Sequence, residues 1–343
     1  MLWLGVIPKR RAFTSGARDV ARGHHRSNMM HVGPITNSFN PLMNGVLVVD
    51  KPTGLTSHDV VNRVRRILEQ RSVGHLGTLD PMATGVLPLV TGSLTRLAQF
   101  YTSAEKTYEG TVRFGFATDT YDAEGEPTTA PQQVVLRPED VERLAVHFRG
   151  VIEQMPPPFS AKKIHGVPAY KLARKHKDVT LTPVKVEIKE FEILAVEADR
   201  ARFRARVASG TYMRSVAHDM GQMLGCGAHL ESLRRTAVAE FTLEDAHAIE
   251  ELSAAAAHGS LGDFFVHPRK LLPQLPSVTA DEINAARIRS GRTVNLPELS
   301  RARQVKVFYG QRELIAIATR VAGTLFHPSI VLCGAGAPAR ESL

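Results

Sequence analysis

Hydrophobic and polar positions alternate with two different periods from residue 45 onward. The apolar run at 45–50 predicts a buried strand, and the Lys-Pro-Thr-Gly stretch at 51–54 predicts the turn that ends it. A helix is predicted next, because Ser57 is a suitable N-cap residue and the apolar residues after it recur every three or four positions. These residues are Val60, Val61, Val64, Ile67 and Leu68.

Alternation with a period of two marks further strands before residue 250. Tyr108 shares its parity with the apolar residues of 106–118, which places it on the apolar face of a strand. Similar alternation predicts strands at 184–193 and 202–208, and helical spacing predicts a helix that ends at Gly225. Strands and helices are mixed without a regular βαβ order, so the pattern predicts an α+β fold.

A second unit is predicted after the proline-spaced stretch at 267–276. Thr279 is placed to cap a short helix at 280–289. The alternating runs QVKVFY and ELIAIAT flank a Gly310-Gln311 turn and predict a hairpin, and TLFHPSIVLC predicts a further strand. The carboxy-terminal part is therefore expected to be a small, β-rich module.

The overall composition is that of a folded globular protein, with 43% hydrophobic and 22% charged residues. No run of about 18 apolar residues occurs, so no membrane-spanning helix is predicted. Cys226 and Cys333 are the only cysteines. Two cysteines are too few for a disulfide framework or a structural zinc site, and they favour a reducing compartment.

Positive charge is concentrated at the amino terminus. The formal net charge is +9, and residues 1–44 contribute +5 of it. The excess of positive charge favours an anionic binding partner. Because residues 1–43 lack periodicity, we predict a disordered extension or a start codon assigned too early. The alternative for this arginine-rich, acid-poor leader is a transit peptide to the mitochondrial matrix.

The motifs of nucleotide, dinucleotide, zinc and serine-hydrolase chemistry are absent from the sequence. An enzyme with this sequence would therefore work with side chains alone. The most informative stretch is GHLGTLDPMATGVLPL at 74–89, in which Asp80 is the single carboxylate. Because Pro81 follows it, Asp80 is expected on extended backbone. An Asp-Pro pair among glycines and threonines is most often a turn, so the residues alone leave its role open.

The stretch at 74–89 resembles the catalytic-loop motif of the TruB family, the bacterial tRNA pseudouridine-55 synthases. Four more stretches resemble motifs of that family in the same order: MNGVLVVDKPTGLTSHDVV, KTYEGTVRFGFATDTYDAEGE, PPPFSAKKIHGVPAYKLAR and SGTYMRSVAHDMGQMLGCGAHLESLRRTAVAEF. The resemblance implies a pseudouridine synthase catalytic domain at 44–250 with a mixed, largely antiparallel sheet. It also implies a small, β-rich PUA-like RNA-binding domain at 272–337.

The resemblance assigns roles to seven residues. It implies that Asp80 is the catalytic nucleophile, that Arg214 is its cationic partner and that Tyr108 stacks on the target base. The residues implied to contact the substrate are His75, Lys163, Tyr212 and Leu233. Lys163 belongs to a lysine- and arginine-rich insertion at about 155–180, which is implied to grip RNA through phosphate contacts and stacking.

The implied reaction converts uridine 55 in the T-arm of tRNA to pseudouridine after base flipping. The resemblance implies no cofactor, no metal, and a monomer that acts on tRNA in the cytoplasm. Two alternatives stay open: a guide-RNA-dependent pseudouridine synthase, and a non-catalytic tRNA-binding or tRNA-folding factor on the same scaffold. The sequence lacks the long lysine-rich tails expected of the first, and intact Asp80 and Arg214 argue against the second.

Overall fold

The computed structural model describes residues 43–160 and 181–332, and the backbone of 163–164 and 167–168. The predicted extension lies outside the described residues up to position 42. The side chains of the basic insertion from 161 to 180 also lie outside them, and these include Lys163.

Five α-helices occur in this part of the chain. They are α1 (Ser57–Ile67), α2 (Pro138–His147), α3 (Met213–Leu224), α4 (Ile249–Ala257) and α5 (Glu282–Arg289). The longest 3-10 helix is Gly92–Tyr101. The predicted end of a helix at Gly225 is confirmed, because this residue caps α3 with a φ of +73°. Glycine adopts this left-handed conformation without the steric cost that a side chain would add.

The strands fall into a large sheet, a smaller carboxy-terminal sheet and a short hairpin. They are β1 (Gly45–Lys51), β2 (Val73–His75), β3 (Thr84–Thr91), β4 (Lys106–Phe114), β5 (Gly150–Gln154), β6 (Lys163–Ile164), β7 (Val167–Pro168), β8 (Val184–Glu197), β9 (Arg200–Val207), β10 (Ala228–Val238), β11 (Phe241–Thr242), β12 (Ala246–His247), β13 (Ser277–Ala280), β14 (Val294–Asn295), β15 (Gln304–Tyr309), β16 (Glu313–Ala322) and β17 (Leu325–Val331). The hairpin is formed by β6 and β7.

The large sheet has the strand order β12-β1-β3-β10-β4-β9-β8-β5, with β2 beside β3 and β11 beside β10. Only the β1–β12 and β3–β10 pairs are parallel. The predicted α+β class with a mixed, largely antiparallel sheet is therefore confirmed. The alternation in β4 also holds, since Tyr108, Val112 and Phe114 are buried.

The first helix is present as predicted, but a different residue caps it. Thr56 Oγ1 accepts a hydrogen bond from Asp59 N, and the Asp59 carboxylate accepts one from Thr56 N. The prediction that Ser57 is the cap was wrong, since Ser57 is the first residue of α1. Its hydroxyl is buried and bonded to a distant loop, so it is not available to the helix terminus.

The main core lies between the large sheet and the helices that cover it. Helix α2 packs on β8, α3 packs on β10, and α1 contacts α4. Each helix buries apolar residues against the sheet, which removes that surface from water and stabilises the fold. Representative members of this core are Val60, Val64, Phe114, Val141, Leu144, Phe191, Val216, Met220 and Leu252.

The smaller sheet has the strand order β13-β15-β16-β17-β14. The predicted hairpin and the strand after it are confirmed as β15, β16 and β17. The prediction that Thr279 caps the short helix was wrong, because Thr279 pairs with Phe308 in the β13–β15 ladder. The helix begins at Glu282 instead, and Asp281 caps it by accepting a hydrogen bond from Asn284 N at 2.7 Å.

The two sheets share a second hydrophobic core. Phe308, Leu314 and Ile317 of the smaller sheet pack in one cluster with residues of the large sheet, including Val238. A separate cluster around Phe326 lies between the smaller sheet and α5. The carboxy-terminal sheet is thus attached to the large sheet by apolar packing and not only by the connecting chain.

Candidate active site

Asp80 lies in the loop that connects β2 to β3. Ala83 N donates a hydrogen bond to Asp80 O at 3.1 Å, so the chain turns directly after the carboxylate. Gly85, the second residue of β3, has a φ of +98°, and a Cβ atom at this position would lie 2.2 Å from Arg235 O. Only glycine fits here, because β10 approaches in a parallel register at this point.

Two buried side chains hold the loop from the side of β1 and α1. Ser57 Oγ accepts a hydrogen bond from Leu79 N at 2.8 Å and donates one to Leu79 O at 3.1 Å. The Lys51 ammonium donates to Pro81 O at 3.1 Å and to Ala83 O at 2.7 Å. Burial lowers the pKa of Lys51 to about 8. The backbone on both sides of the carboxylate is therefore tied to the rigid part of the fold.

The Asp80 carboxylate forms an ion pair with Arg214. The Asp80 Oδ2 atom lies 3.0 Å from Arg214 Nε, and the side chain of Asp80 is 36% exposed whereas that of Arg214 is 6% exposed. The two charged groups are therefore a close ion pair at the edge of the buried region. The contact is electrostatic, and the carboxylate keeps lone pairs that a ligand could meet.

Burial raises the pKa of the Asp80 carboxyl above its ordinary value. The nearby Asp122 carboxylate raises this pKa further, whereas the cations Arg214 and Lys51 lower it. Since a third of the side chain remains exposed and a guanidinium lies at 3.0 Å, we expect Asp80 to be ionised at neutral pH. Its charge is then maintained against the cost of burial by the cations around it.

Arg214 is itself held in place from three directions. Its Nη1 atom donates to Thr120 O at 3.2 Å and to Asp122 Oδ2 at 3.3 Å, and its Nη2 atom donates to Phe159 O at 2.9 Å. Asp122 is 4% exposed, so the guanidinium lies between two carboxylates. Asp122 is not among the residues predicted from the sequence, although it lies in an acidic turn at 119–126.

A cavity of about 450 Å³ lies over Asp80 and Arg214. This volume is within the range of about 300–1,000 Å³ that is typical of small-molecule sites. Six of the seven predicted site residues line it, and they come from separate parts of the chain: His75, Asp80, Tyr108, Tyr212, Arg214 and Leu233. The side chain of the seventh, Lys163, lies outside the described residues.

The cavity has an apolar wall and a tyrosine at its edge. Tyr108 on β4 and Leu233 on β10 are nearly buried and form part of the wall. Tyr212 precedes α3, and the Gln154 amide holds its backbone by accepting from Tyr212 N at 2.8 Å and donating to Tyr212 O at 3.0 Å. Burial raises the pKa of Tyr212, so its phenol is neutral at physiological pH.

The polar part of the lining includes His75 and Lys106. His75 Nδ1 accepts a hydrogen bond from Gly77 N at 3.3 Å, and burial lowers the pKa of the imidazole, which is therefore neutral at pH 7. The Lys106 ammonium donates to Ala104 O at 2.6 Å, and burial lowers its pKa to about 8. Lys106 is not among the residues predicted from the sequence, because nothing in its local pattern separates it from a solvated lysine.

Within residues 43–160 and 181–332, no group of three or more histidine, cysteine, aspartate or glutamate side chains could hold a metal ion. No helix in the described part of the chain is long and apolar enough to cross a membrane. The arrangement at Asp80 combines an accessible carboxylate, a buried cation and an apolar wall. It is suited to covalent chemistry by the carboxylate on a planar ligand.

Two family models match adjacent parts of the chain. The model of the TruB family pseudouridylate synthase (N terminal domain) matches residues 65–213. The model of the tRNA pseudouridylate synthase B C-terminal domain matches residues 214–269. Together they cover the stretch that holds Asp80, Tyr108, Arg214 and the other described lining residues.

Curated proteins and solved structures are similar over most of the chain. The tRNA pseudouridine synthase B of Solibacter usitatus (strain Ellin6076) is 53% identical over 293 residues, which are 84% of this chain and 100% of that protein. The tRNA pseudouridine synthase B of Geobacter sulfurreducens is 42% identical over 73% of this chain and 82% of its own. A chain in the structure of an H/ACA RNP bound to a substrate RNA containing 2′-deoxyuridine superimposes with a TM-score of 0.63. That chain is 23% identical, with 85% of this chain and 86% of its own covered, so the likeness concerns the fold alone.

Proposed function

Because the chain belongs to the TruB family of pseudouridylate synthases, we propose that it converts uridine 55 in the T-arm of tRNA to pseudouridine. The observation that carries the proposal is the accessible Asp80 carboxylate, which lies 3.0 Å from buried Arg214. Both residues line a cavity whose wall includes Tyr108 and Leu233. The names of the curated relatives support tRNA as the substrate.

The reaction rearranges bonds within a single nucleotide. The glycosidic bond between N1 and the ribose breaks, the uracil turns over, and C5 forms the new bond to the same ribose carbon. C5 loses a proton and N1 gains one, so the product is an isomer of the substrate. No oxidant, reductant or transferred group is needed, and side chains suffice. The base must first leave the RNA stack, because its reacting atoms are otherwise inaccessible.

In this proposal Asp80 is the nucleophile, since an ionised carboxylate can form a covalent intermediate. Arg214 keeps it ionised and oriented. Tyr108 stacks on the flipped uracil and assists removal of the proton from C5. Tyr212 and Leu233 complete the walls around the ring.

Two further residues act on the RNA around the flipped base in this proposal. His75 fills the space that the base leaves in the T-loop, and its neutral imidazole suits a stacked environment. Lys163 belongs to the basic insertion, which contacts phosphates of the T-arm. These contacts supply affinity for tRNA and fix its position on the protein, whereas Asp80 and the residues around it perform the chemistry.

The proposal extends to the organisation of the molecule. We assign a catalytic domain to 44–250 and a PUA-like RNA-binding domain to 272–337, with the smaller sheet as the framework of the latter. The protein acts as a monomer on tRNA, without a cofactor. The proposed compartment is the cytoplasm, and the mitochondrial matrix is the alternative if the arginine-rich leader is a transit peptide.

The test in cells is mass-spectrometric mapping of pseudouridine in tRNA with and without this protein. We expect the modification to be lost at position 55 alone when the protein is removed. An unchanged map would contradict the proposal. Restoration by the wild-type chain but not by Asp80→Asn would tie the lost modification to this site.

A second test separates the alternatives. Purified protein is incubated with an unmodified tRNA transcript whose uridine carries tritium at C5, and release of tritium is followed. Turnover without any added RNA or protein excludes a guide-RNA requirement. Binding of the transcript without release would indicate a non-catalytic tRNA-binding factor.

A further inference from the structure

The proposed mechanism does not use Arg235, a buried cation in the lining of the cavity. It lies on β10, two residues after Leu233, and is 1% exposed. Within residues 43–160 and 181–332, no carboxylate forms an ion pair with it. Burial lowers its pKa, because the charged form is separated from water. Burying a charge without an ion-pair partner costs free energy, so the hydrogen bonds of Arg235 must offset part of that cost.

The guanidinium of Arg235 is bonded to the backbone of the loop that carries Asp80. Its Nη2 atom donates to Gly77 O at 3.0 Å, and its Nη1 atom donates to Thr78 O at 3.1 Å. Its Nε atom donates to Val86 O at 2.8 Å, in the strand that follows the loop. One planar group therefore links the segment just before Asp80 to the strand just after it.

Tyr108 lies close to the same guanidinium and stabilises its charged form. The two residues are direct partners in the antiparallel β4–β10 ladder. Arg235 thus links the two parts of the site that the proposal brings to the uracil: it is hydrogen-bonded to the loop that carries the carboxylate and is the cross-strand neighbour of Tyr108. An arginine can donate to three separate carbonyl groups at fixed angles because its planar fork has five donors, whereas a lysine has three donors on one nitrogen.

We propose that Arg235 is a positioning residue for the reaction, which sets the placement of the Asp80 loop relative to Tyr108. The inference rests on the proposed function. Arg235 would act by keeping the nucleophile and the ring at a fixed separation, and it would not contact the uracil. Loss of this bracing should slow the chemical step, because a displacement of about 1 Å can cost about 100-fold in rate.

The test compares Arg235→Lys with the wild-type protein in a single-turnover assay at saturating enzyme. The dissociation constant for tRNA and the thermal midpoint are measured on the same preparations. We expect the rate to fall about 100-fold while the tRNA affinity changes by no more than about threefold. Arg235→Gln is the second variant, because it has no charge to bury and keeps two donors.

Arg234→Lys is the matched control. Arg234 is the adjacent residue on β10, is partly exposed, and pairs with Asp50 at 2.7 Å. We expect its single-turnover rate to match the wild-type rate. Tyr108→Phe made in both backgrounds supplies a second readout. The loss of the hydroxyl should slow the wild-type protein more than it slows Arg235→Lys, because the two residues act as a unit.

The outcomes separate the inference from the proposed function. A wild-type protein that releases no tritium from tRNA overturns the function itself. An active wild-type protein with a folded Arg235→Lys or Arg235→Gln variant of near-normal rate overturns only the positioning role. That role is also overturned if the variants lose tRNA affinity or folding in proportion to the rate, since Arg235 would then be a structural residue.

Discussion

The guanidinium of Arg214 lies between two carboxylates that have different surroundings. Asp80 is partly exposed in the cavity, whereas Asp122 is buried and also accepts hydrogen bonds from Thr120 Oγ1 and Glu124 N. The buried carboxylate fixes the arginine, and the exposed one is paired with the arginine but stays open to the cavity. This asymmetry makes Asp80, and not Asp122, the candidate nucleophile.

Replacing Asp80 with asparagine keeps the side-chain volume and removes the charge. We expect the single-turnover rate of pseudouridine formation to fall at least ~1,000-fold, or ~4 kcal/mol. The tRNA affinity should change little, because phosphate contacts lie elsewhere. Asp119→Asn is the control, since Asp119 accepts from Glu126 N in an exposed turn. A variant that keeps a tenth of the wild-type rate would rule out Asp80 as the nucleophile.

The acid limb of the pH–rate profile should respond to Asp122. Acidification protonates Asp80 and stops a reaction that requires the carboxylate. Because the charge of Asp122 raises the pKa of Asp80, Asp122→Asn should lower that pKa and move the acid limb to lower pH. Single-turnover rates from about pH 4 to 8 measure the shift. Asp119→Asn should leave the limb in place, and an upward shift with Asp122→Asn would contradict the coupling.

At the level of elements, the loop between β2 and β3 is held by side chains from three other elements. Lys51 ends β1, Ser57 begins α1, and Arg235 lies on β10. All three are buried and all bond to backbone atoms of the loop or its flanking strand. The loop is therefore ordered by the packing around it, although it is rich in glycine.

Two neighbouring substitutions at the start of α1 should distinguish the effect of helix stability on turnover from the effect of the position of the Asp80 loop. Thr56→Ala removes the cap and should cost about 1 kcal/mol of stability with little effect on turnover. Ser57→Ala leaves both backbone groups of Leu79 without a partner, which should cost about 1–3 kcal/mol. It should also slow turnover about tenfold by displacing the loop. Urea unfolding and single-turnover rates measure both effects, and equal effects of the two variants on turnover would refute the distinction.

At the level of the whole molecule, the two sheets are joined by a shared apolar core. Phe308 lies in the cluster that includes residues of both sheets, whereas Phe326 lies in a cluster formed by the smaller sheet and α5 with no residue of the large sheet. Both rings are fully buried. The stability of the large sheet should therefore depend on part of the carboxy-terminal sheet.

Phe308→Ala and Phe326→Ala form a matched pair for this dependence. Each should lower the free energy of unfolding by about 3–5 kcal/mol, because each leaves a cavity in a packed core. Phe308→Ala should also increase amide hydrogen exchange in β3 and β10, whereas Phe326→Ala should increase it only in the smaller sheet. Exchange-resolved mass spectrometry measures this. No change in the large sheet with Phe308→Ala would mean that the two sheets are energetically independent.

Much of the fold was predictable from local pattern. The first strand, the alternation around Tyr108, the helix end at Gly225 and the carboxy-terminal hairpin all follow from residues close together in the chain. The two wrong caps, Ser57 and Thr279, have one cause. Both residue types can cap a helix, but each of these residues makes a tertiary contact instead. The Ser57 hydroxyl is hydrogen-bonded to Leu79, and Thr279 pairs with Phe308 in the smaller sheet.

The sequence by itself determined the family motifs, and through them the candidate roles of Asp80, Tyr108 and Arg214. The tertiary structure decided which side chains control them. The acidic turn at 119–126 does not separate Asp122 from its neighbouring carboxylates, and the local sequence does not separate Arg235 from Arg234, because a buried ion pair and a buried guanidinium are defined by partners far away in the chain. Desolvation and close contact arise only when separate strands and loops converge. The residues that perform the chemistry can therefore be identified from local sequence motifs, whereas their charge states and relative positions are set by tertiary packing.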